Sequence, residues 1–107
     1  MIRISFRRDG DDVHRTFRGH AVVVGRSKKC DLSLPDCKGL SRFHCRLSGE
    51  DGECVLEDLG SRNGTLLNQQ PVSGKERVTE GDEIKAGEVT LRVEAIRDAE
   101  PTEELVN

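Results

Sequence analysis

The chain has 107 residues, 34% of them hydrophobic and only 3% aromatic, with neither Trp nor Tyr. That length suits one domain that can bury a core without metal or disulfide staples, built from Val, Leu, Ile and the rings of Phe6, Phe17 and Phe43. A net charge of -3 argues against a general nucleic-acid binder, which needs a basic face and usually stacking aromatics.

In chain order, Ile2, Ile4 and Phe6 alternate with polar residues and predict a half-buried strand, followed by a turn at Asp9-Gly10-Asp11-Asp12. Val13 and Phe17 resume the alternation. Val22-Val23-Val24 is a short β-branched run that ends at Gly25. Cys45 and Leu47 lead to an expected turn at Gly49-Glu50-Asp51-Gly52, and Cys54-Val55-Leu56 returns from it. Val89, Leu91, Val93 and Ala95 form a last period-2 strand, entered through Ala86-Gly87. Short strands with turn signals every eight to twelve residues or so predict an all-β sandwich or barrel. No long stretch carries a 3.6-residue period without a Gly breaking it, so helix has no foothold. Residues 1–96 are therefore expected to form one domain, and the acidic, polar segment 97–107 around Pro101 a flexible tail or linker.

No apolar run resembles a signal peptide or is long enough to cross a membrane, so no membrane partner is expected and a cytoplasmic location is. Cys30, Cys37, Cys45 and Cys54 contain no CxxC pair, which argues against zinc, and a cytoplasmic setting keeps them reduced. Cys45 and Cys54 each stand two residues from a Leu, as small buried thiols do. The sequon Asn63-Gly64-Thr65 would not meet its modifying enzyme there.

Charge is unevenly spread. Arg26, Lys28, Lys29, Lys38, Arg42 and Arg46 face only Asp31 and Asp36 in the same stretch, which suggests a local anion site or a solvated basic loop. Three short segments carry candidate chemistry. In Gly25-Arg26-Ser27 the arginine is either solvated after a turn or fixed at a strand end, its planar fork presented to a phosphate. In Ser41-Arg42-Phe43-His44, Ser41 and Arg42 could donate to an oxyanion while His44 braces the loop, or the serine could cap a helical turn and the histidine pack in the core. In Ser61-Arg62-Asn63-Gly64-Thr65 the Asn-Gly pair is first a tight-turn signal, yet the amide can also hold the backbone of an extended peptide. Catalysis has little support. His14, His20 and His44 show no recognisable spacing to a nucleophile, and Gly60-Ser61-Arg62-Asn63-Gly64 lacks the frame of a nucleophile elbow.

Taken in order and spacing, Gly25-Arg26, Ser41-x-x-His44 and Ser61-x-Asn63-Gly64-Thr65 resemble the signature of forkhead-associated (FHA) domains. Cys30-Asp31-Leu32-Ser33-Leu34 looks like the family's short strand after the Gly-Arg turn, and Leu56-Glu57-Asp58-Leu59-Gly60 like the strand before Ser-x-Asn-Gly. Leu67-Asn68, Gly81-Asp82-Glu83-Ile84 and Gly87 extend the likeness to roughly Ile2–Ile96. The resemblance implies an eleven-stranded FHA/SMAD-like β-sandwich with recognition loops at one end, binding phosphothreonine segments of signalling proteins without metal or cofactor and without catalysis. It implies that Arg26, Ser41 and Arg42 bind phosphate, and that Asn63 holds the peptide backbone, with Arg62 beside it at the phosphate or crowding the pocket. Gly25, His44 and Gly64 set loop geometry. The implied partner is a Ser/Thr kinase or its substrate. An FHA-fold module that binds partners independently of phosphorylation is the alternative. The tail adds one expectation: a monomer, unless phosphorylated Thr102 docks into a neighbouring copy.

Overall fold

The computed structural model describes residues 1–19, 21–50 and 53–97; His20, Asp51 and Gly52 of the expected turn, and residues 98–107, Thr102 included, lie outside the described residues. Among the described residues, eleven strands form two sheets. The first, in the order β2-β1-β11-β10-β7-β8, contains β1 (Ile2–Arg8), β2 (Asp11–Phe17), β7 (Thr65–Leu67), β8 (Gln70–Pro71), β10 (Glu83–Ala86) and β11 (Val89–Ile96). The second, in the order β4-β3-β5-β6-β9, contains β3 (Ala21–Gly25), β4 (Leu32–Ser33), β5 (Cys45–Glu50), β6 (Glu53–Asp58) and β9 (Lys75–Val78). No helix occurs among the described residues.

Period-2 patterning explains how the sheets face each other. Ile2, Ile4 and Phe6 of β1, Ile84 of β10, and Leu91 and Val93 of β11 are buried from one sheet. Val22 and Val24 of β3, Cys45 and Leu47 of β5, and Cys54 and Leu56 of β6 meet them from the other. All four cysteines are free thiols. Burial pushes Cys45 up to about 12 and Cys54 up to about 11, so both stay protonated and inert at neutral pH.

The strands differ from the sequence expectation in three places. Asp11 and Asp12 belong to β2, opposite Arg8 and Arg7, because Asp9 (φ 53°) and Gly10 (φ 84°) suffice for the turn. Two consecutive left-handed residues are the type I′ geometry that matches strand twist. Gly49 and Glu50 likewise continue β5 instead of turning, opposite Cys54 and Glu53. Only Leu32 and Ser33 of the segment 30–34 pair as a strand, parallel to β3.

The two ends of the sandwich have different tenants. Backbone bonds between Arg97 and Met1, 2.8 Å and 2.6 Å, close the end where β1 begins and β11 finishes. At the other end lie the loops after β3, β4 and β6 and the β10–β11 turn, where Glu88 N–H donates to the Lys38 carbonyl at 3.0 Å. Eight-residue β11 separates the two ends by roughly 25 Å.

Candidate functional site

Three loops that are distant in sequence are fastened to each other at this end. Arg26 N–H donates to the Ser41 carbonyl and Ser27 N–H to the Arg42 carbonyl, both at 3.1 Å. This approach leaves no room at Gly25, where a Cβ would stand 2.0 Å from the Arg42 oxygen. Gly25 has no positive φ; it is needed for proximity, not for backbone freedom. The Arg26 Nε–H donates to the Leu40 carbonyl at 2.6 Å, which fixes the guanidinium plane and leaves both Nη groups free to donate outward.

His44 is fully buried and sits among all three loops. Its Nδ1 accepts from Ser41 N–H at 3.0 Å. That role requires the proton on the other nitrogen, so Nε2–H donates to the Gly64 carbonyl at 2.8 Å. Its backbone joins in, with N–H to the Val24 carbonyl and its own carbonyl accepting from Leu59. One side chain thus ties the serine loop to the Asn-Gly loop.

The third loop has a brace of its own, which sequence reasoning did not single out. The Asp58 carboxylate accepts from Gly60 N–H and Ser61 N–H, each at 3.0 Å, and from the hydroxyls of Ser61 and Thr65. Burial works to raise the Asp58 pKa, but these hydrogen bonds outweigh it and hold the carboxyl below its ordinary value. The available signal was the Asp-x-x-Ser spacing, which suits a side chain that caps the backbone after it. Gly64 at φ 82° has open space around it, so here glycine does serve the left-handed conformation.

Thus braced, the loop delivers two contacts. Arg62 N–H donates to Ser41 Oγ at 3.0 Å, so that oxygen is already an acceptor and its own proton remains available to a ligand. Asn63 Nδ2 donates to the Gly39 carbonyl at 2.9 Å, leaving its Oδ1 and second amide hydrogen unengaged. Gly39, at φ 79°, rests against Gly87, where a Cβ would meet Lys38, Gly39 and Leu40 backbone at 2.7–2.8 Å. The β10–β11 turn therefore supports the loop from beneath, a contact no local pattern announced.

The result is an open cleft of about 420 Å³ lined by Arg26, Cys37, Lys38, Gly39, Leu40, Ser41, Arg62 and Asn63. No carboxylate lines it, and Arg26, Lys38 and Arg62 make no ion pair with described residues. Of the residues expected at phosphate or peptide, Arg26, Ser41, Arg62 and Asn63 are brought together. Arg42 is exposed nearby but does not line the cleft, and its carbonyl serves the Ser27 and Cys30 contacts instead. Converging guanidinium, ammonium and hydroxyl donors suit a compact multiply charged oxyanion. No cluster of metal-ligating side chains occurs among the described residues.

Comparison with known proteins bears on this geometry. The FHA domain matches residues 22–87. FhaB of Mycobacterium tuberculosis is 35% identical over 78 residues, spanning 73% of this chain and 50% of that protein. An FHA domain-containing protein of Arabidopsis thaliana is 39% identical over 75 residues, spanning 67% of this chain and 19% of that protein. The chain thus spans half or less of the length of these curated relatives. Among solved structures, a domain studied for phosphothreonine-dependent FHA interactions superposes with a TM-score of 0.78 at 29% identity, covering 88% of this chain and 95% of that one. The N-terminal FHA domain of Saccharomyces cerevisiae Rad53p, solved with a phosphothreonine peptide, has a TM-score of 0.73 at 27% identity, covering 86% and 90%.

Proposed function

The chain belongs to the FHA domain family, and from that premise we propose that it is a phosphothreonine-dependent interaction module whose ligand phosphate sits in the cleft between Arg26, Ser41 and Arg62. The observation that carries the residue assignment is the pair of unused donors. Arg26 is fixed through Nε with both Nη groups free, and Ser41 Oγ is fixed as an acceptor with its proton free. A phosphothreonine brings about −1.5 to −2 charges and strong acceptor oxygens to meet them. Recognition of phosphorylated motifs by arginine is a mode already known for FHA domains.

In this reading Arg62 supplies a second guanidinium across the cleft from Arg26. Asn63 holds the ligand backbone with its unengaged amide atoms while its bond to Gly39 keeps it in place. His44, Gly25 and Gly64 shape the loops and do not touch the ligand. Arg42 acts at the rim, through long-range attraction. The module catalyses nothing by itself, and its partner is a phosphorylated protein, a Ser/Thr kinase or a kinase substrate.

Calorimetry with a phosphothreonine peptide library and its unphosphorylated copy tests the reading. Binding to the first alone is expected. Equal binding to both would establish the phosphate-independent alternative. If Thr102 is itself phosphorylated, the roughly 25 Å between the two ends favours docking into a second copy over docking into its own cleft. Light scattering of the phosphorylated chain would then show oligomers that Arg26→Ala dissolves.

A further inference from the structure

Among the described residues the two sheets end in the edge strands β2, β8, β4 and β9. Three of these are short or blunted. β4 and β8 have two residues each, β8 with Pro71 among them, and four-residue β9 begins at Lys75. Short length, proline and lysine are common means of keeping another chain from adding to a sheet. β2 has none of them. All seven of its residues pair with β1 without a bulge, and no described strand lies on its other side.

The turn decides which backbone groups of β2 face outward. A two-residue hairpin turn is closed by bonds between its flanking residues, here Arg8 and Asp11. Antiparallel alternation then directs the backbone of Val13, Arg15 and Phe17 toward β1 as well, and aims the N–H and C=O groups of Asp12, His14 and Thr16 at the open edge. In keeping with this, Arg15 Nη1 donates to the His14 carbonyl at 3.2 Å.

Side chains alternate in the other sense. Asp11, Val13, Arg15 and Phe17 share one face, from which Val13 and Phe17 pack against the core. On the opposite face Asp12 pairs with Arg7 at 3.7 Å, whereas Asp11 and Arg15 make no ion pair with described residues. A charge on the core side of an edge strand normally keeps other strands away, because an incoming strand must bring its opposite to the same face. An antiparallel copy of β2 brings it.

We infer that two copies of the chain associate through β2, antiparallel about a two-fold axis at Val13. In that register Asp11 of each copy stands opposite Arg15 of the other, Val13 meets Val13, and Asp12 and His14 exchange their outward backbone bonds. Arg15 releases the His14 carbonyl to the incoming Asp12 N–H and takes up the Asp11 carboxylate. Charge selects the register: an axis at Asp12 sets Asp12 against itself, one at Arg15 sets Arg15 against itself, and one at His14 leaves Asp11 facing Phe17. The contact does not depend on what the cleft binds. Since β1 turns into β2 at the recognition end, the two clefts of the pair point in opposite directions and both stay open, which suits a partner phosphorylated at two places.

Sedimentation of the unphosphorylated full chain over a concentration series tests this, and a monomer–dimer equilibrium in the high micromolar range is expected. Asp11→Arg and Arg15→Asp should each weaken it about tenfold or more, because both opposed pairs turn from attraction to repulsion. Combining the two substitutions should restore it, with thermal unfolding to show that all three variants remain folded. Arg26→Ala should leave it unchanged, which separates this contact from docking of Thr102 in a cleft. A wild type still monomeric at about 1 mM overturns the inference. So does a dimer that tolerates both single substitutions, a folded double variant that stays monomeric, or a dimer lost with Arg26→Ala.

Discussion

Between the sheets, the side chains of Ile4, Val22, Leu47, Leu56, Ile84 and Leu91 are shielded from solvent among apolar neighbours, and nothing directional holds those side chains. At the recognition end the fixed positions are almost all polar. His44 binds Ser41 and Gly64, Asp58 binds Gly60, Ser61 and Thr65, and Asn63 binds Gly39. Apolar contact depends on volume and area, so the interior can absorb similar shapes with small adjustments. A hydrogen bond depends on atom type and direction, so each bracket at the recognition end has few substitutes. Stability should therefore be concentrated in one region and binding in the other, with the brackets as the seam.

The sharpest test sets Arg26→Ala against Leu56→Ala. Losing one partner of a desolvated charge pair costs about 2–5 kcal/mol of binding, so Arg26→Ala should weaken phosphopeptide binding by roughly 30- to 5,000-fold. Its melting temperature should move far less, because Arg26 is exposed and its side chain makes one bond, to the Leu40 carbonyl. Leu56→Ala should do the reverse: about 2–5 kcal/mol of stability lost, with affinity unchanged wherever the protein remains folded. Calorimetry and thermal unfolding of both variants decide it, and any crossover of the two effects would break the division.

His44→Ala lies on the seam and should move both readouts. Removing the ring strands the Ser41 N–H and the Gly64 carbonyl, each at a cost of about 1–3 kcal/mol if it stays buried and unpaired. A lower melting temperature together with weaker binding is expected, whereas weaker binding at unchanged stability would make the histidine a ligand contact. Ser41→Ala should be milder, near 1.5–3 kcal/mol of binding for a hydroxyl bonded to a charged group. Part of that loss reflects the Arg62 N–H, which forfeits its acceptor.

Acid should loosen the third loop. The Asp58 carboxyl is held below its ordinary value in the folded state, so its contribution is complete above the unfolded pKa near 3.9 and is lost as pH falls through the lower folded value. Thermal unfolding between about pH 5 and pH 2 should therefore show a shallower acid decline in Asp58→Asn than in the wild type. Parallel curves would remove Asp58 as a titrating bracket. The smallest effect separates phosphothreonine from phosphoserine. One buried methyl contributes about 0.8 kcal/mol, roughly fourfold, and matched peptides of equal affinity would show that no apolar surface receives the methyl.

Local sequence and tertiary structure decided different things about this protein. The strands were legible wherever one face is buried, as in Ile2-Ile4-Phe6, Cys45-Leu47 and Val89-Leu91-Val93, because a period of two is forced by the pleat itself. Turn ends were less so: Asp11, Asp12, Gly49 and Glu50 carry turn-forming side chains, yet cross-strand pairing claimed them for the ladders. Of the candidate site, Arg26, Ser41, Asn63 and His44 were named from motif and spacing. The resemblance put Arg42 at the phosphate and left Arg62 either at the phosphate or crowding the pocket. Only the fold turned one toward the cleft and left the other outside it. The seat of Gly39 on Gly87 was invisible for a related reason. What matters there is a neighbour dozens of residues away, and tertiary packing, not local propensity, chooses that neighbour.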